Sequence, residues 1–349
     1  MNNYWIDRIK YNDKEIADFL KSLKPLYKDV FKNINAEIER FYGRYAIEND
    51  LSLVEVRKRL DRSQLKSYRE ENKKYYDMIN RLCRDEKNII DKEKLKLFKN
   101  ELRAQSAKAY ISRLEELKMR FKCTLIESGA EEIKTFENRL SKIYTDNYLM
   151  SNYELDKQKS FSIGVKKPTL EALKVLLRKK WLGENFSDRI WSNKEKLLGQ
   201  LNTTFLQGVA QGFNPKKIAK LMQKNVDSSY SNCERLCRTE SAYVSEEATR
   251  VAYNDQNVKK YQFLATLDNK TSALCQDYSG KIFNVDEIEV GVNYPPLHPN
   301  CRSTTTPYFE PDEIDKMLDE AKRVARDNDG KLYDVPADMT YKEWVNFVK

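Results

Sequence analysis

The sequence predicts a mainly α-helical protein, with a long helical N-terminal region followed by a smaller, compact α+β domain. Charged residues make up 34% of the 349 residues, and Gly and Pro number only 10 and 9, which is typical of long solvated helices. Past residue 228 the apolar pattern changes from helical spacing to short strand-like runs. The length itself predicts two or three structural units.

Four consecutive regions follow from these changes in pattern. We expect a helical N-terminal region at 1–165, a basic helical segment at 166–227, an α+β core domain at 228–310 and a helical C-terminal tail at 311–349. The first boundary is placed near residue 165 because Ser, Gly and Pro gather there, as they do in linkers.

Helical spacing of apolar residues predicts the elements of the first region. It runs through residues 14–45, where Pro25 is expected to break the helix because proline removes a backbone hydrogen bond. Further helices are predicted over residues 63–83, 92–120 and 135–153.

Capping residues place the helices in the middle of the chain. Ser187 is expected to cap one helix, and Asn214 to cap a second that has Pro215 at its first position. A further helix is predicted over residues 231–253.

Short runs of β-branched and aromatic residues predict three strands, at residues 261–267, 281–283 and 303–306. The tail is expected to carry a helix from residue 310 to about 326. A capping box at Thr340–Glu343 predicts another helix start beyond it.

The positive charge of the chain is concentrated in one segment. The formal net charge is +9, and residues 166–224 alone hold thirteen Lys or Arg against four Asp or Glu. Such a segment attracts nucleic acid or an acidic protein, although a solvated helix face needs no ligand. The residues predicted to bind DNA or a protein partner are Lys174, Arg178, Lys179, Lys180, Lys216 and Lys217.

The sequence also predicts where the protein is made. Its opening residues lack the apolar core of a signal peptide, and no run of about 18 apolar residues occurs. We therefore expect synthesis in the cytoplasm and no membrane partner. Six cysteines spread over the chain are too sparse for a disulfide framework, so they are expected to be thiols or metal ligands.

The single histidine, His298, lies in a loop at residues 293–303 that several prolines hold rigid. With Cys275 and Cys301 it supplies the nitrogen and sulfur ligands that zinc prefers, and zinc is the one cofactor that the sequence suggests. Structural zinc takes four ligands, and Asp268 or Asp277 is a candidate for the fourth. The alternative is a loop held by hydrogen bonds alone, with the imidazole bonded to a backbone carbonyl.

Known catalytic patterns do not fit this loop. A zinc deaminase needs a glutamate two residues after the histidine, and Asn300 stands there. A zincin needs two histidines, and a Ser-His-Asp triad is possible only through His298. No glycine-rich phosphate loop is present. We therefore expect no enzymatic activity.

Several separated segments resemble, in order, those of the phage Mu F-type minor head proteins, also called head-morphogenesis proteins of tailed phages and prophages. The segments are residues 4–8, 186–191, 238–240, 266–268, 275–280 and 295–303. The motif residues that the resemblance identifies are Arg238, Glu240, Asp268, Gly280, Pro296, Asn300 and Arg302. Many members have a Cys-x-x-Cys where this chain has Ser272 and Cys275.

The resemblance implies a minor head protein that is part of the virion, inside the head near the portal, and that is in the host cytoplasm before assembly. It implies a role in head morphogenesis and DNA delivery through binding of the portal protein, DNA or both, with scaffold or major capsid protein as further partners. Two alternatives stay open: an enzyme or toxin-like effector related to ADP-ribosyltransferases and delivered with the DNA, and a helical DNA-binding protein.

Overall fold

A computed structural model describes residues 4–46, 51–84, 90–157, 165–266 and 270–310, together with two short strands further on. The helices are α1 (Tyr4–Tyr45), α2 (Leu53–Arg57), α3 (Arg62–Arg84), α4 (Lys92–Ala107), α5 (Arg113–Lys157), α6 (Leu170–Arg178), α7 (Phe186–Ala210), α8 (Pro215–Asp255) and α9 (Ala273–Tyr278). The strands are β1 (Lys260–Leu264), β2 (Ile282–Asn284), β3 (Thr304–Tyr308), β4 (Val324–Arg326) and β5 (Leu332–Asp334). The predicted fold class, mainly α with a smaller α+β part, is confirmed.

The chain forms two compact units whose segments alternate along the sequence. Unit 1 comprises residues 1–19, 138–177 and 235–349, and unit 2 comprises residues 20–137 and 178–234. Helices α1, α5 and α8 each supply residues to both units. The boundary expected between residues 227 and 228 lies inside α8, which continues from Pro215 to Asp255.

Helix α1 is continuous through Pro25, so the predicted break is wrong. Pro25 lies on the exposed face of α1, where water can bond the carbonyl that lost its partner. On the opposite face Leu23, Tyr27 and Val30 are buried. Their packing keeps the helix together despite the missing hydrogen bond.

The helix predicted over residues 92–120 is in fact two helices, α4 and α5. A capping box starts the second: the Ser112 hydroxyl accepts from the Glu115 amide at 3.2 Å, and the Glu115 carboxylate accepts from the Ser112 amide at 2.8 Å. The Ser-x-x-Glu signal was present in the sequence and was not used.

The cap predicted for α7 is wrong, whereas the cap predicted for α8 is confirmed. Asn185, and not Ser187, caps α7, through a capping box with Asp188. Asn214 caps α8 as predicted, since its side chain accepts from the Lys217 amide at 2.9 Å. Helix α8 then runs unbroken for 41 residues, so the separate helix expected from residue 231 is its second half.

Unit 2 buries a charged pair in its helical core. Lys194 Nζ lies 2.6 Å from a Glu132 carboxylate oxygen, and both side chains are almost fully buried. Nearby, α5 and α7 approach closely because Gly129 has no side chain: a Cβ atom there would lie 2.6 Å from the ring of Trp191. Burial raises the pKa of the Cys233 thiol in this core well above its ordinary value.

The predicted strands form a three-stranded antiparallel sheet in unit 1, in the order β2-β1-β3. Tyr261 in the central strand pairs with Phe283 on one side and with Pro307 on the other. A short 3-10 helix, Val285–Glu287, follows β2. The loop at residues 293–303 lies between β2 and β3 in the sequence.

The predicted tail helices at residues 310–326 and after Thr340 lie largely outside the described residues. Within that stretch the structure describes β4 and β5, which pair antiparallel, so residues 324–326, expected to end a helix, form a strand instead. None of the helices in the described ranges is long and apolar enough to cross a membrane.

Candidate functional site at the Cys275 and His298 loop

Helix α9 positions the first cysteine of the candidate site. Ser272 caps this helix, because its hydroxyl accepts from the Cys275 amide at 3.3 Å. The cap sets the direction of the first turn, and Cys275 is consequently directed into the interior, where it is 1% exposed. It packs in a small core with Phe263, Leu297 and Cys301.

The loop at residues 293–303 is fixed by bonds along its length. The buried Tyr294 hydroxyl donates to the Glu246 carbonyl at 2.8 Å. Asn300, whose φ is 60°, donates its backbone N–H to the Thr239 hydroxyl at 3.0 Å. The Pro295–Pro296 peptide is cis. The loop is thus anchored to α8 through Thr239, which lies between the two motif residues Arg238 and Glu240.

Three side chains predicted as metal ligands converge. The Cys275 and Cys301 sulfurs lie 3.7 Å apart, and His298 Nε2 lies 3.2 Å from the Cys275 sulfur. The Ser272 hydroxyl lies 2.8 Å from the same nitrogen. On the other side of the ring, Nδ1 lies 2.9 Å from the Pro299 carbonyl oxygen. The imidazole thus contacts a backbone carbonyl through Nδ1 and faces the cysteine sulfur through Nε2, so the two alternatives for His298 are compatible with each other.

Of the two carboxylates proposed as the fourth ligand, the structure describes Asp277, and Asp277 is not part of this cluster. The His, Cys, Asp and Glu side chains that gather there are Cys275, His298 and Cys301, without Asp277. Asp268 lies outside the described residues. The fourth polar group beside the cluster is a hydroxyl, that of Ser272. Burial raises the pKa of the Cys301 thiol to about 11, so without a metal ion this thiol is protonated at neutral pH.

The other motif residues lie around this loop and on α8. Arg238 is exposed whereas Glu240 is 2% exposed, so the two side chains point in different directions. Gly280 has a φ of 82°, which favours glycine, and it ends the turn after α9. Pro296 is buried in the loop, and Arg302 is exposed while its carbonyl accepts from the Thr266 hydroxyl at 2.8 Å.

A buried charge network behind the loop was missed by the sequence analysis. Arg8 is fully buried and donates to the Glu246 carboxylate at 3.0 Å and to the Thr305 carbonyl at 3.2 Å, and it also contacts the Thr249 and Thr304 hydroxyls. Burial raises the pKa of Glu246 above its ordinary value, against the opposite influence of Arg8. The network joins α1, α8 and β3.

The predicted basic residues are divided between the two units. Lys174 belongs to unit 1, whereas the other five belong to unit 2. Arg178, Lys179 and Lys180 are exposed at the end of α6 and just after it, and Lys180 lies 3.6 Å from Asp188. The two lysines in the first turn of α8, Lys216 and Lys217, are exposed as well.

Comparison with known proteins relates part of the chain to a described family. Residues 199–306, from α7 to β3, match the family model described as Phage Mu protein F like protein. These residues are Mu F-like. The Mu F-like region begins before the core domain expected at residue 228 and contains the Cys275, His298 and Cys301 cluster. The resemblance to Mu F-type minor head proteins is confirmed.

Two proteins to which the chain is similar carry different names. It is 26% identical over 227 residues to the minor head protein GP7 of Bacillus phage SPP1, which covers 61% of this chain and 71% of that protein. It is 22% identical over 275 residues to the NAD(+)--arginine ADP-ribosyltransferase EFV of Enterococcus faecalis, which covers 74% of this chain. The chain spans about half of that second relative, 54% of its length. No solved structure matches the chain significantly.

Proposed function

We propose that the chain is a minor head protein of a tailed phage or prophage, and that it acts inside the head by binding the portal protein. The observation that carries this proposal is the Mu F-like match, together with the minor head protein GP7 among the relatives. Scaffold and major capsid protein are further candidate partners. The work of the protein is binding and not turnover.

The candidate site supports a binding role over a catalytic one. Asn300 stands where a zinc deaminase has its glutamate. The backbone N–H of Asn300 anchors the loop to the Thr239 hydroxyl. His298 is held by Ser272, Cys275 and a backbone carbonyl. In this arrangement the imidazole holds the loop in place.

A comparison of incorporation with infectivity tests the proposal. Particles that lack the protein should have a defect in head assembly or DNA delivery, and the purified chain should bind its cognate portal protein. Particles carrying Arg238→Ala or His298→Ala should lose infectivity in proportion to the protein that fails to be incorporated. Full incorporation combined with abolished infectivity would point to chemistry at the site and would contradict the binding role.

An ADP-ribosyltransferase is the second candidate, because one relative carries that name. The test is incubation of the purified chain with labelled NAD⁺ and an arginine-rich acceptor protein. Transfer of label above that of a heat-denatured sample would favour the enzyme. Absence of transfer, together with portal binding, would favour the minor head protein.

DNA contact through the basic residues of α8 is part of the same proposal. Lys216, Lys220 and Lys224 are exposed at intervals of four residues, so they form a row along one face of the helix. The opposite face is buried through Ile218 and Met222, which fixes the direction of the row. Lysines in the first turn oppose the helix dipole at a cost of about 0.3–1 kcal/mol, and a bound phosphate would relieve this cost.

Fluorescence anisotropy with duplex DNA at several salt concentrations tests this contact. We expect affinity to fall steeply with salt and to show little sequence preference, as for phosphate binding. Lys216→Glu/Lys220→Glu should weaken binding, whereas Lys73→Glu/Lys74→Glu, an exposed pair on α3 with the same charge change, should not. Equal losses in the two variants would mean that net charge alone attracts DNA. Absence of DNA binding at low salt would contradict the DNA contact and would favour a protein as the partner of the basic residues.

A further inference from the structure

The sulfur and nitrogen atoms of the candidate site are spaced like the corners of a zinc coordination shell. With bonds of about 2.3 Å to sulfur and about 2.0 Å to nitrogen, tetrahedral zinc holds two sulfurs about 3.8 Å apart and sulfur about 3.5 Å from nitrogen. The Cys275 and Cys301 sulfurs lie 3.7 Å apart, and His298 Nε2 lies 3.2 Å from the Cys275 sulfur. All three ligand atoms lie within 4.8 Å of one another.

The contacts of the two ring nitrogens of His298 differ, and they direct Nε2 toward the two groups that would share a metal with it. The Pro299 carbonyl can only accept, so Nδ1, at 2.9 Å from it, carries the ring proton of the neutral imidazole. Nε2 therefore presents its lone pair toward Cys275 and Ser272. Metal-binding histidines have this arrangement, in which the second nitrogen donates to a carbonyl or carboxylate and fixes the ring.

The fourth corner of the shell is next to Ser272. Its hydroxyl lies 2.8 Å from His298 Nε2, and the N-cap bond to the Cys275 amide holds it at the start of α9. We propose that Cys275, His298 and Cys301 bind one Zn²⁺ ion, and that the Ser272 hydroxyl, or a water bonded to it, occupies the fourth position. The two thiols release their protons to solvent as the two zinc–sulfur bonds form.

Such an ion would have a structural role. It would connect α9 to the loop before β3 through the small buried core of Phe263, Cys275, Leu297 and Cys301. The Asn300 amide already ties the far end of the same loop to Thr239 on α8. Zinc would therefore stabilise the part of the Mu F-like region where the sheet is small.

Metal binding by the purified full chain tests the inference. After treatment with a chelator, the chain is titrated with Co²⁺ and then Zn²⁺. Co²⁺ should give the intense visible bands of a tetrahedral site with thiolate charge transfer at one ion per chain, and Zn²⁺ should remove them. Cys301→Ser and His298→Ala should lose the bands or bind much more weakly. An absorption spectrum of wild type like that of aqueous Co²⁺ would overturn the proposal.

A variant that gains zinc affinity distinguishes a metal site from a cluster that is held by hydrogen bonds alone. Ser272→Cys should create a Cys₃His site and tighten zinc binding by about tenfold or more against a competing chelator. Ser279→Cys, an exposed position at the other end of α9, adds the same thiol outside the cluster and should leave the affinity unchanged. Equal affinities for Ser272→Cys and wild type would contradict the placement of Ser272 at the fourth position. This comparison stays informative if Cys301→Ser fails to fold.

Discussion

Replacing Arg8 by methionine measures how strongly unit 1 depends on one buried cation. Methionine keeps much of the apolar volume of Arg8 but removes the guanidinium, which leaves the Glu246 carboxylate buried without its cation. Breaking a buried ion pair in this way costs about 3–5 kcal/mol. We expect Arg8→Met to lower the free energy of unfolding by that amount at neutral pH.

The loss should depend on pH, and the pKa of Glu246 decides its sign. Burial raises this pKa above that of a solvated carboxyl, and Arg8 acts in the opposite direction. A carboxyl with a raised folded pKa binds more protons when folded, so its contribution to stability is full below the unfolded pKa and is lost as the pH rises through the folded pKa. Without Arg8 the folded pKa of Glu246 rises further. The variant should therefore be closest to wild type in acid and furthest from it at neutral pH.

Urea unfolding followed by circular dichroism, at about pH 4.5 and about pH 7.5, checks both expectations. The double variant Arg8→Met/Glu246→Gln should recover part of the loss, because no charge is then left buried. Lys14→Met, at an exposed position of the same helix, is the control and should change stability by less than about 0.5 kcal/mol. A loss below about 1 kcal/mol for Arg8→Met, or equal losses at both pH values, would refute the reasoning.

Two further predictions concern packing and thiol chemistry in unit 2. Gly129→Ala should lower stability by about 1–3 kcal/mol because the new Cβ would lie 2.6 Å from the Trp191 ring, whereas Gly43→Ala, with no atom within 4 Å, should be neutral or raise it by up to about 1 kcal/mol. Thermal unfolding of both variants compares them, and an equal effect would contradict the close approach. A thiol-specific reagent should label the half-buried Cys83 long before the buried Cys233, whose pKa burial raises. Peptide mapping by mass spectrometry after brief labelling checks this order, and equal labelling would contradict it.

Local signals predicted the elements whose causes are local. Asn214 and Pro215 start α8 because a cap and a fixed φ act within one turn. Strand β1 was predicted from its own composition, although it ends at Leu264 and not at residue 267. Pro25 was misjudged because burial of the opposite helix face decides the outcome there. Tertiary packing overrides a helix breaker in a way that a local pattern does not reveal.

The three side chains of the candidate site were predicted from their residue types, whereas the buried Arg8 and Glu246 pair was not predicted. Cys275, His298 and Cys301 were grouped because few side chains bind soft metals, and the structure brings them together. Arg8 and Glu246 lie 238 residues apart, and no periodic pattern connects residues at that distance. Their pairing depends on the packing of α1 against α8 within unit 1.

The alternating segments of the two units have a consequence for synthesis. Unit 2 has all its segments once residue 234 is made, whereas unit 1 holds the first segment of the chain and also its last. At roughly 5–20 residues per second, Arg8 waits on the order of 10–50 s for Glu246 to be translated. During that time the guanidinium lacks the carboxylate that it pairs with in the folded protein. A ribosome stalled after residue 234 and before residue 246 should therefore present α1 with its first turns open to protease, while the segments of unit 2 are already complete.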